Sequence, residues 1–235
     1  MEANEDGESS AAQGLLLVDK PAGMTSHDVV QQVRRIYGQR SIGHLGTLDP
    51  FATGLLVLLL GRATRLATFL DTEPKVYEAV IAFGNETDTD DETGTVIRTA
   101  ELPGEADVLN GIRLLTGAIS QVPPAYSAKS VDGTRAYDAA RRGEPLELRA
   151  SAVTVHKWDI TELRGDSLTA VITCGGGTYI RALARDLGRL ARSAAHLRSL
   201  RRTRVGKFDI AGAATLEVLA RNTTRIRALR VVADE

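Results

Sequence analysis

The sequence predicts an α+β fold, because its strand-like segments outnumber its helices and cannot all be joined by crossover helices. Short apolar runs bounded by glycine or proline predict strands at residues 14–19, 55–60 and 76–83. Two or three more strands are predicted between residues 150 and 174. Residues 179–195 carry apolar side chains at helical spacing and predict a strong amphipathic helix. No internal repeat interrupts this pattern.

The first helix is predicted to begin after Thr25, whose hydroxyl can cap the helix while Asp28 completes a capping box. Gly38 is predicted to end this helix. Residues 43–54 contain three glycines and no periodicity, which predicts a loop before the buried strand 55–60.

Short helices are predicted over residues 108–115 and 136–142 and from residue 215 onward. Residues 121–125 should be extended, because each proline disfavours helix at the residue before it. A last strand is expected near residues 205–210.

The composition indicates an ordinary soluble globular protein, with 43% hydrophobic and 25% charged residues among 235. Cys174 is the single cysteine and sits in an apolar run, so a buried structural thiol is favoured over a reactive one. The four histidines lack metal-ligand spacing, and no metal site is predicted. Residues 1–13 are acidic and predict a disordered tail, with no secretion signal or membrane-spanning segment.

Charge is unevenly distributed along the chain although the net charge is only −1. Residues 86–107 hold eight acids against Arg98 alone, whereas residues 181–207 hold nine basic residues against Asp186 alone. A segregated basic surface can bind a polyanion despite a neutral total. A helix with a solvated basic face is the alternative, and charge alone leaves both open.

Three common cofactor-binding motifs are incomplete or absent in this sequence. Asp88 begins a calcium-like acidic run, but Thr93 and Thr99 stand where that motif needs glycine and glutamate. The run from Gly175 reaches Ile180 where a dinucleotide fingerprint needs its third glycine, and no phosphate-loop sequence occurs. We therefore predict no cofactor, and a nucleotide-dependent transferase is disfavoured.

The segment 43–54 reads Gly-His-Leu-Gly-Thr-Leu-Asp-Pro-Phe-Ala-Thr-Gly. Proline at position 50 restricts Asp49 to extended geometry, so a stiffened loop would present its carboxylate. Catalytic groups are often held on such loops, although Leu-Asp-Pro is also a common turn element.

This segment resembles the signature loop of the TruB family, the bacterial tRNA pseudouridine-55 synthases. Further motifs resemble the family in the same order along residues 14–210, and they lie at residues 19–26, 75–77, 87–90, 122–129, 177–181 and 200–202. The resemblance implies a pseudouridine synthase fold with a central mixed, mostly antiparallel sheet flanked by helices and loops.

The implied reaction isomerises uridine-55 in the T-loop of tRNA to pseudouridine. The N-glycosidic bond breaks, the uracil turns, and its C5 joins the sugar C1′. Asp49 is the implied nucleophile, attacking either the base or C1′. The target base must be extruded from the RNA fold before the enzyme can reach it.

The resemblance assigns further roles residue by residue. Arg181 would neutralise the Asp49 carboxylate, although it could be one more cation on a basic helix. Tyr77 would stack on the uracil, where the alternative is an ordinary core tyrosine. Leu200 would close the apolar side of the pocket, and His44 would lie near the flipped nucleotide.

Lys20 and Tyr179 fall within matching motifs and are predicted as further substrate-binding residues. Residues 123–144 resemble an insertion that grips the T-loop, although a flexible surface loop is the alternative. Its expected phosphate contacts are Lys129, Arg135, Arg141 and Arg142.

The resemblance also implies an organisation. Residues 14–235 would form the catalytic domain, and the C-terminal RNA-binding domain of many bacterial members would be absent or truncated. We expect a cytoplasmic monomer that acts on tRNA without a guide RNA or a membrane. The alternatives are a guide-RNA-dependent relative of dyskerin and a non-catalytic tRNA-binding or tRNA-folding protein on the same scaffold.

Overall fold

A computed structural model describes residues 12–127, 129–131, 134–144 and 146–221. Apart from Ala12 and Gln13, the predicted acidic tail lies outside these residues. The described residues form two compact units, one from residues 12–71 together with 208–221, and one from within residues 72–207. Both units combine antiparallel strands with helices, which confirms the α+β prediction.

The first unit contains three strands and a helix before residue 71, namely β1 (Gly14–Lys20), α1 (Ser26–Tyr37), β2 (Ile42–Leu45) and β3 (Thr53–Leu60). Strand β3 pairs antiparallel with both β1 and β2. Buried side chains of α1, such as Val29 and Val33, pack with Leu56 and Leu58 of β3 into one apolar core.

Helix α1 begins and ends as its sequence predicts. The Thr25 hydroxyl accepts a hydrogen bond from the Asp28 N–H at 3.0 Å, and the Asp28 carboxylate accepts one from the Thr25 N–H at 2.9 Å. Gly38 takes the left-handed conformation that ends the helix. The predicted loop 43–54 is shorter than expected, because its first three residues belong to β2 and its last two to β3.

The second unit contains most of the strands. Its elements are β4 (Lys75–Phe83), β5 (Asn85–Thr87), β6 (Val96–Thr99), α2 (Glu105–Leu114), β7 (Gly117–Gln121), β8 (Ser130–Val131), β9 (Thr134–Arg135), α3 (Ala136–Arg141), β10 (Ser151–Arg164), β11 (Ser167–Cys174), α4 (Ile180–Leu190) and β12 (Ala195–Val205). Strands β12, β4, β11, β10 and β7 lie side by side in that order, all antiparallel.

The prediction for residues 179–195 is wrong at its C-terminal end. Helix α4 stops at Leu190, Arg192 takes a left-handed conformation (φ 57°), and Ala195 already begins the long strand β12. The buried face of α4 includes Leu183 and Leu187, as its apolar spacing predicts.

The chain then returns to the first unit. Strand β13 (Phe208–Asp209) is a short part of the strand expected near residues 205–210, and α5 (Leu216–Arg221) confirms the last predicted helix. Ala214 exchanges two backbone hydrogen bonds of 3.0 Å with β1, one to Leu17 and one from Asp19. None of the helices within the described ranges has the length and apolarity needed to cross a bilayer.

Candidate active site

Asp49 lies in the seven-residue loop 46–52 that joins β2 to β3. Gly46 and Gly54 bracket this loop with φ values of 75° and 104°, a region that side chains with a Cβ rarely occupy. The Asp49 carbonyl accepts a hydrogen bond from the Ala52 N–H at 3.2 Å, which tightens the turn. The Asp49 side chain is partly exposed, whereas its neighbour Leu48 is buried.

Ser26 fixes the backbone immediately before Asp49. Its buried hydroxyl accepts a hydrogen bond from the Leu48 N–H at 2.9 Å and donates one to the Leu48 carbonyl at 3.2 Å. One side chain therefore satisfies both backbone groups of Leu48, and the first turn of α1 becomes an anchor for the loop.

Lys20 fixes the backbone immediately after Asp49. Its ammonium donates to the carbonyls of Pro21, Met24 and Pro50 at 2.8, 2.7 and 3.2 Å, and Gly23 N–H also donates to Pro50. Lys20 has no exposed surface. The ammonium lies against loop carbonyls, and the substrate-binding role of Lys20 stays a prediction.

His44 also belongs to the first unit, where it lies in β2 opposite Leu58 of β3 and is partly exposed. It is therefore held by a strand and not by the loop that the sequence predicts. Its proposed proximity to the flipped nucleotide stays a prediction.

Tyr77 and Leu200 come together in the second unit. Tyr77 of β4 lies opposite Arg202 of β12, and Leu200 lies opposite Ala79, two residues further along the same face of the sheet. Both side chains are 7% exposed. The spacing makes them diagonal neighbours on one face of a rigid sheet.

Arg181 lies in the first turn of α4 and is almost entirely buried, with 4% of its side chain exposed. Its guanidinium donates to the carbonyls of Thr89 and Tyr126, each at 2.9 Å, and lies 3.6 Å from the Asp91 carboxylate. Arg181 is therefore not one more cation on a solvated helix face.

Tyr179 precedes α4 and is held by an amide side chain that the sequence did not single out. The buried Gln121 accepts a hydrogen bond from the Tyr179 N–H at 2.8 Å and donates one to its carbonyl at 3.1 Å. This two-way contact fixes the backbone two residues before Arg181.

The basic run 181–207 is only partly a surface. Arg181, Arg185 and Arg202 are buried, at 4%, 8% and 1% exposure. Arg185 donates to the Asp90 carboxylate at 2.8 Å, and burial raises the pKa of Asp90 to about 6 in spite of Arg185 and Arg181. Neither Asp90 nor Arg185 was predicted as a site residue, because nothing in their local sequence reveals a partner 95 residues away.

The remaining sequence predictions concern the single cysteine, the basic residues of the segment 123–144 and metal binding. Cys174 is fully buried, and burial raises the pKa of its thiol to about 11, as expected of a structural thiol. Lys129 and Arg142 are exposed, while the side chains of Arg135 and Arg141 lie outside the description. Within the described part of the chain, no three acidic, histidine or cysteine side chains form a group able to hold a metal ion.

Solved structures identify the class of fold. A chain in the "Crystal Structure of a Cbf5-Nop10-Gar1 Complex" matches 89% of this chain with a TM-score of 0.70 and 27% identity. A chain in the "Crystal structure of the archaeal box H/ACA sRNP Nop10-Cbf5 complex" gives 0.65 and 27%. This chain spans about half (54%) of each of those chains. The fold is that of the pseudouridine synthases.

Sequence relatives identify the family. The model of the TruB family pseudouridylate synthase N-terminal domain matches residues 34–180, and the tRNA pseudouridylate synthase B C-terminal domain matches residues 181–231. The tRNA pseudouridine synthase B of Thermobifida fusca is 52% identical, covering 91% of this chain and 76% of the relative. That of Mycobacteroides abscessus is 48% identical, covering 90% and 73%. The chain belongs to the TruB family.

Proposed function

We propose that this protein is a tRNA pseudouridine-55 synthase that acts on the T-loop. The observation that carries the proposal is the anchoring of the Asp49 loop, where Ser26 and Lys20 fix the backbone on both sides of a partly exposed carboxylate. A nucleophile gains most when its approach to the reacting atom is fixed before substrate binds. The names of the relatives that are about half identical support tRNA as the substrate.

In the proposed mechanism the target uridine leaves the RNA stack and enters the site. Asp49 attacks the base or C1′, which allows the N-glycosidic bond to break and the uracil to turn. Arg181 would supply a permanent positive charge, and the Tyr77 ring would stack on the uracil. C5 then joins C1′, C5 loses its proton while N1 takes one up, and Asp49 is released unchanged.

RNA binding is assigned to residues outside the reacting centre. Exposed Lys129 and Arg142, together with Arg135 and Arg141, would contact phosphates of the T-stem-loop through the segment 123–144. His44 would lie beside the flipped nucleotide, Leu200 would cover its apolar side, and Tyr179 would contact the substrate at the start of α4. Lys20 would contribute through the loop that it holds.

The proposed enzyme works in the cytoplasm as a monomer, with residues 14–235 as the catalytic domain. It needs no guide RNA. The guide-dependent alternative has the weaker sequence support, since the Cbf5 chains are 27% identical and the tRNA synthases about 50%.

The test incubates the purified chain with an unmodified tRNA transcript, without guide RNA or cofactor, at stoichiometric enzyme. Pseudouridine is then located by chemical mapping, and a transcript with cytidine at the target position serves as the control. Product confined to the T-loop uridine is expected. A complex that binds tRNA without product would favour the RNA-binding alternative, and product that requires an added guide RNA would favour the dyskerin-like one.

A further inference from the structure

Two arginines on α4 reach the same two segments of the second unit. Arg181 bonds to Thr89 and Tyr126, and Arg185, one helical turn later, donates to the Asp90 carboxylate and to the Val122 carbonyl, both at 2.8 Å. Each arginine therefore joins the turn at residues 87–94 to the segment 121–126. We call these two side chains and their two segments the arginine bridge.

The turn at residues 87–94 has hydrogen bonds of its own, including one from the Thr87 hydroxyl to the Asp91 carbonyl, and backbone bonds join it to Leu197 of β12. The segment 121–126 has no regular structure after Gln121. Asp90 takes a left-handed conformation (φ 60°), which is unusual for a residue other than glycine. The segment 121–126 contains Pro123 and Pro124, which have no N–H to donate. Arg185 donates to its Val122 carbonyl and Arg181 to its Tyr126 carbonyl.

Joining the two segments through the Asp90–Arg185 pair costs desolvation free energy. Only 8% of the Asp90 side chain and 10% of the Arg185 side chain are exposed, so both charges have lost most of their hydration. Burial raises the pKa of Asp90 to about 6 although Arg185 and Arg181 lie close by. An apolar pair could join the segments at lower cost, which indicates that the directed hydrogen bonds matter here.

The Arg185 guanidinium is fixed on three sides. Besides Asp90 and Val122, its Nε donates to the Asp186 carboxylate at 2.9 Å. This geometry leaves the Arg185 guanidinium little freedom to move. Because Arg185 bonds to the same two segments as Arg181, it also restricts the Thr89 and Tyr126 carbonyls that orient Arg181.

We propose that Asp90 and Arg185 form a positioning pair that fixes the orientation of Arg181 for the isomerisation step, an inference that rests on the proposed pseudouridine synthase activity. The pair touches neither the base nor Asp49 in this role. Its effect therefore falls on the rate of the chemical step and leaves tRNA affinity unchanged.

The test measures two quantities separately, the single-turnover rate constant for pseudouridine formation at saturating enzyme and the dissociation constant for tRNA. Arg185→Gln and Asp90→Asn should each lower the rate constant about tenfold, because a small misplacement of a catalytic group is enough to do so. The dissociation constant should change by no more than about twofold. Arg98→Gln is the control, because Arg98 also pairs with a buried carboxylate, Glu86, but lies outside the arginine bridge.

The double variant tests whether the two residues act as one unit. Asp90→Asn with Arg185→Gln should be no slower than the slower single variant, because one interaction is lost only once. Arg185→Lys should fall between wild type and Arg185→Gln, since it keeps the charge but not the fork. The positioning pair would be overturned if the rate losses of the two single variants multiplied in the double variant. A rate constant of Arg185→Gln within about twofold of wild type would overturn it as well.

A pH profile tests the same pair without an Arg185 variant. Charged groups facing Asp90 are Arg185, Arg181, Glu86 and Asp186. Desolvation acts to raise the pKa of Glu86, but Arg189 and Arg98 hold it below its ordinary value, so Glu86 stays ionised in this window. The wild-type rate constant should fall as the pH drops below about 6, and Asp90→Asn should lack this limb.

The outcomes separate the two proposals. A wild-type chain that forms no pseudouridine overturns the proposed function and the positioning pair together. An active wild type with an identical pH limb in Asp90→Asn overturns the positioning pair alone.

Discussion

The Asp49 loop and the start of α4 each hold a candidate catalytic side chain, and they do so with different chemistry. Around Asp49, a hydroxyl and one ammonium bond to backbone groups on either side of the residue. Near Arg181 the Asp91 carboxylate lies 3.6 Å away, and one helical turn later Arg185 pairs with Asp90, so the bonds join charged side chains to each other and to carbonyls. The loop is fixed by satisfying its backbone, whereas the helix start is fixed by balancing buried charge.

The two regions therefore respond differently to the loss of a side chain. Loss of a loop anchor leaves backbone groups unsatisfied, a cost that is largely independent of pH. Loss of a charge beside α4 leaves another buried charge uncompensated, and the resulting loss of stability depends on pH. The predictions below separate these two kinds of dependence.

The largest effect is expected from Asp49→Asn. The amide is nearly the same size but is a far weaker nucleophile, so the single-turnover rate constant should fall by roughly 10⁴-fold or more. The tRNA dissociation constant should stay within about twofold of wild type. Near-normal turnover in this variant would remove Asp49 from the mechanism.

Lys20→Met should have the largest effect on stability. It replaces a buried ammonium and leaves three carbonyls short of a donor, which should lower the free energy of unfolding by about 4 kcal/mol. Urea denaturation measures this change. Lys157→Met is the matched control, because Lys157 is 65% exposed and should contribute almost nothing. Equal stabilities for the two variants would contradict the anchoring role of Lys20.

The Asp90→Asn variant should show the pH dependence that distinguishes the α4 region. Because the folded state raises the pKa of Asp90 from 3.8 to about 6, the folded protein holds this proton more tightly than the unfolded chain. Its contribution to stability is therefore present below pH 3.8 and is lost as the pH rises through about 6. The stability of the variant relative to wild type should rise by about 2 to 3 kcal/mol between pH 4 and pH 7.

Urea denaturation at several pH values measures that slope, which does not depend on any constant offset between the proteins. Lys20→Met should show a flat difference from wild type over the same range. A flat difference for Asp90→Asn as well would mean that Asp90 titrates alike in both states.

The smallest effect is expected from Ser26→Ala. It removes both hydrogen bonds to Leu48 at little change in volume, so the unfolding free energy should fall by about 1 kcal/mol. Ser41→Ala is the control, because the exposed Ser41 hydroxyl bonds only to the Gly61 carbonyl. If the two variants lose equal stability, the loop does not depend on Ser26.

Features with short-range causes could be predicted from the sequence. Helix α1 carries its own start and stop signals in Thr25, Asp28 and Gly38, and all three act as expected. Strands β3 and β4 are apolar enough to be recognised alone. The candidate site residues came from the resemblance to the TruB family, since a single aspartate, tyrosine or leucine reveals no function by itself.

Strand β12 was missed for a physical reason. Leu197 and Leu200 stand three residues apart, which suggests a continuing helix, and two irregularities in its pairing with β4 break the alternation that marks a strand. The roles of Lys20 and Arg185 were also beyond the sequence. Their partners are carbonyls and a carboxylate that only the folded chain brings close.

The spacing of the arginine bridge along the chain has a consequence for the time at which the site forms. Its bonds join Arg181 to Tyr126 across 55 residues and Arg185 to Asp90 across 95. At the usual pace of translation, the arginines emerge between roughly 3 and 19 seconds after their partners. During that interval Asp90 remains hydrated beside a chain that has no α4, so the nascent protein acquires its charged centre only after α4 has been synthesised.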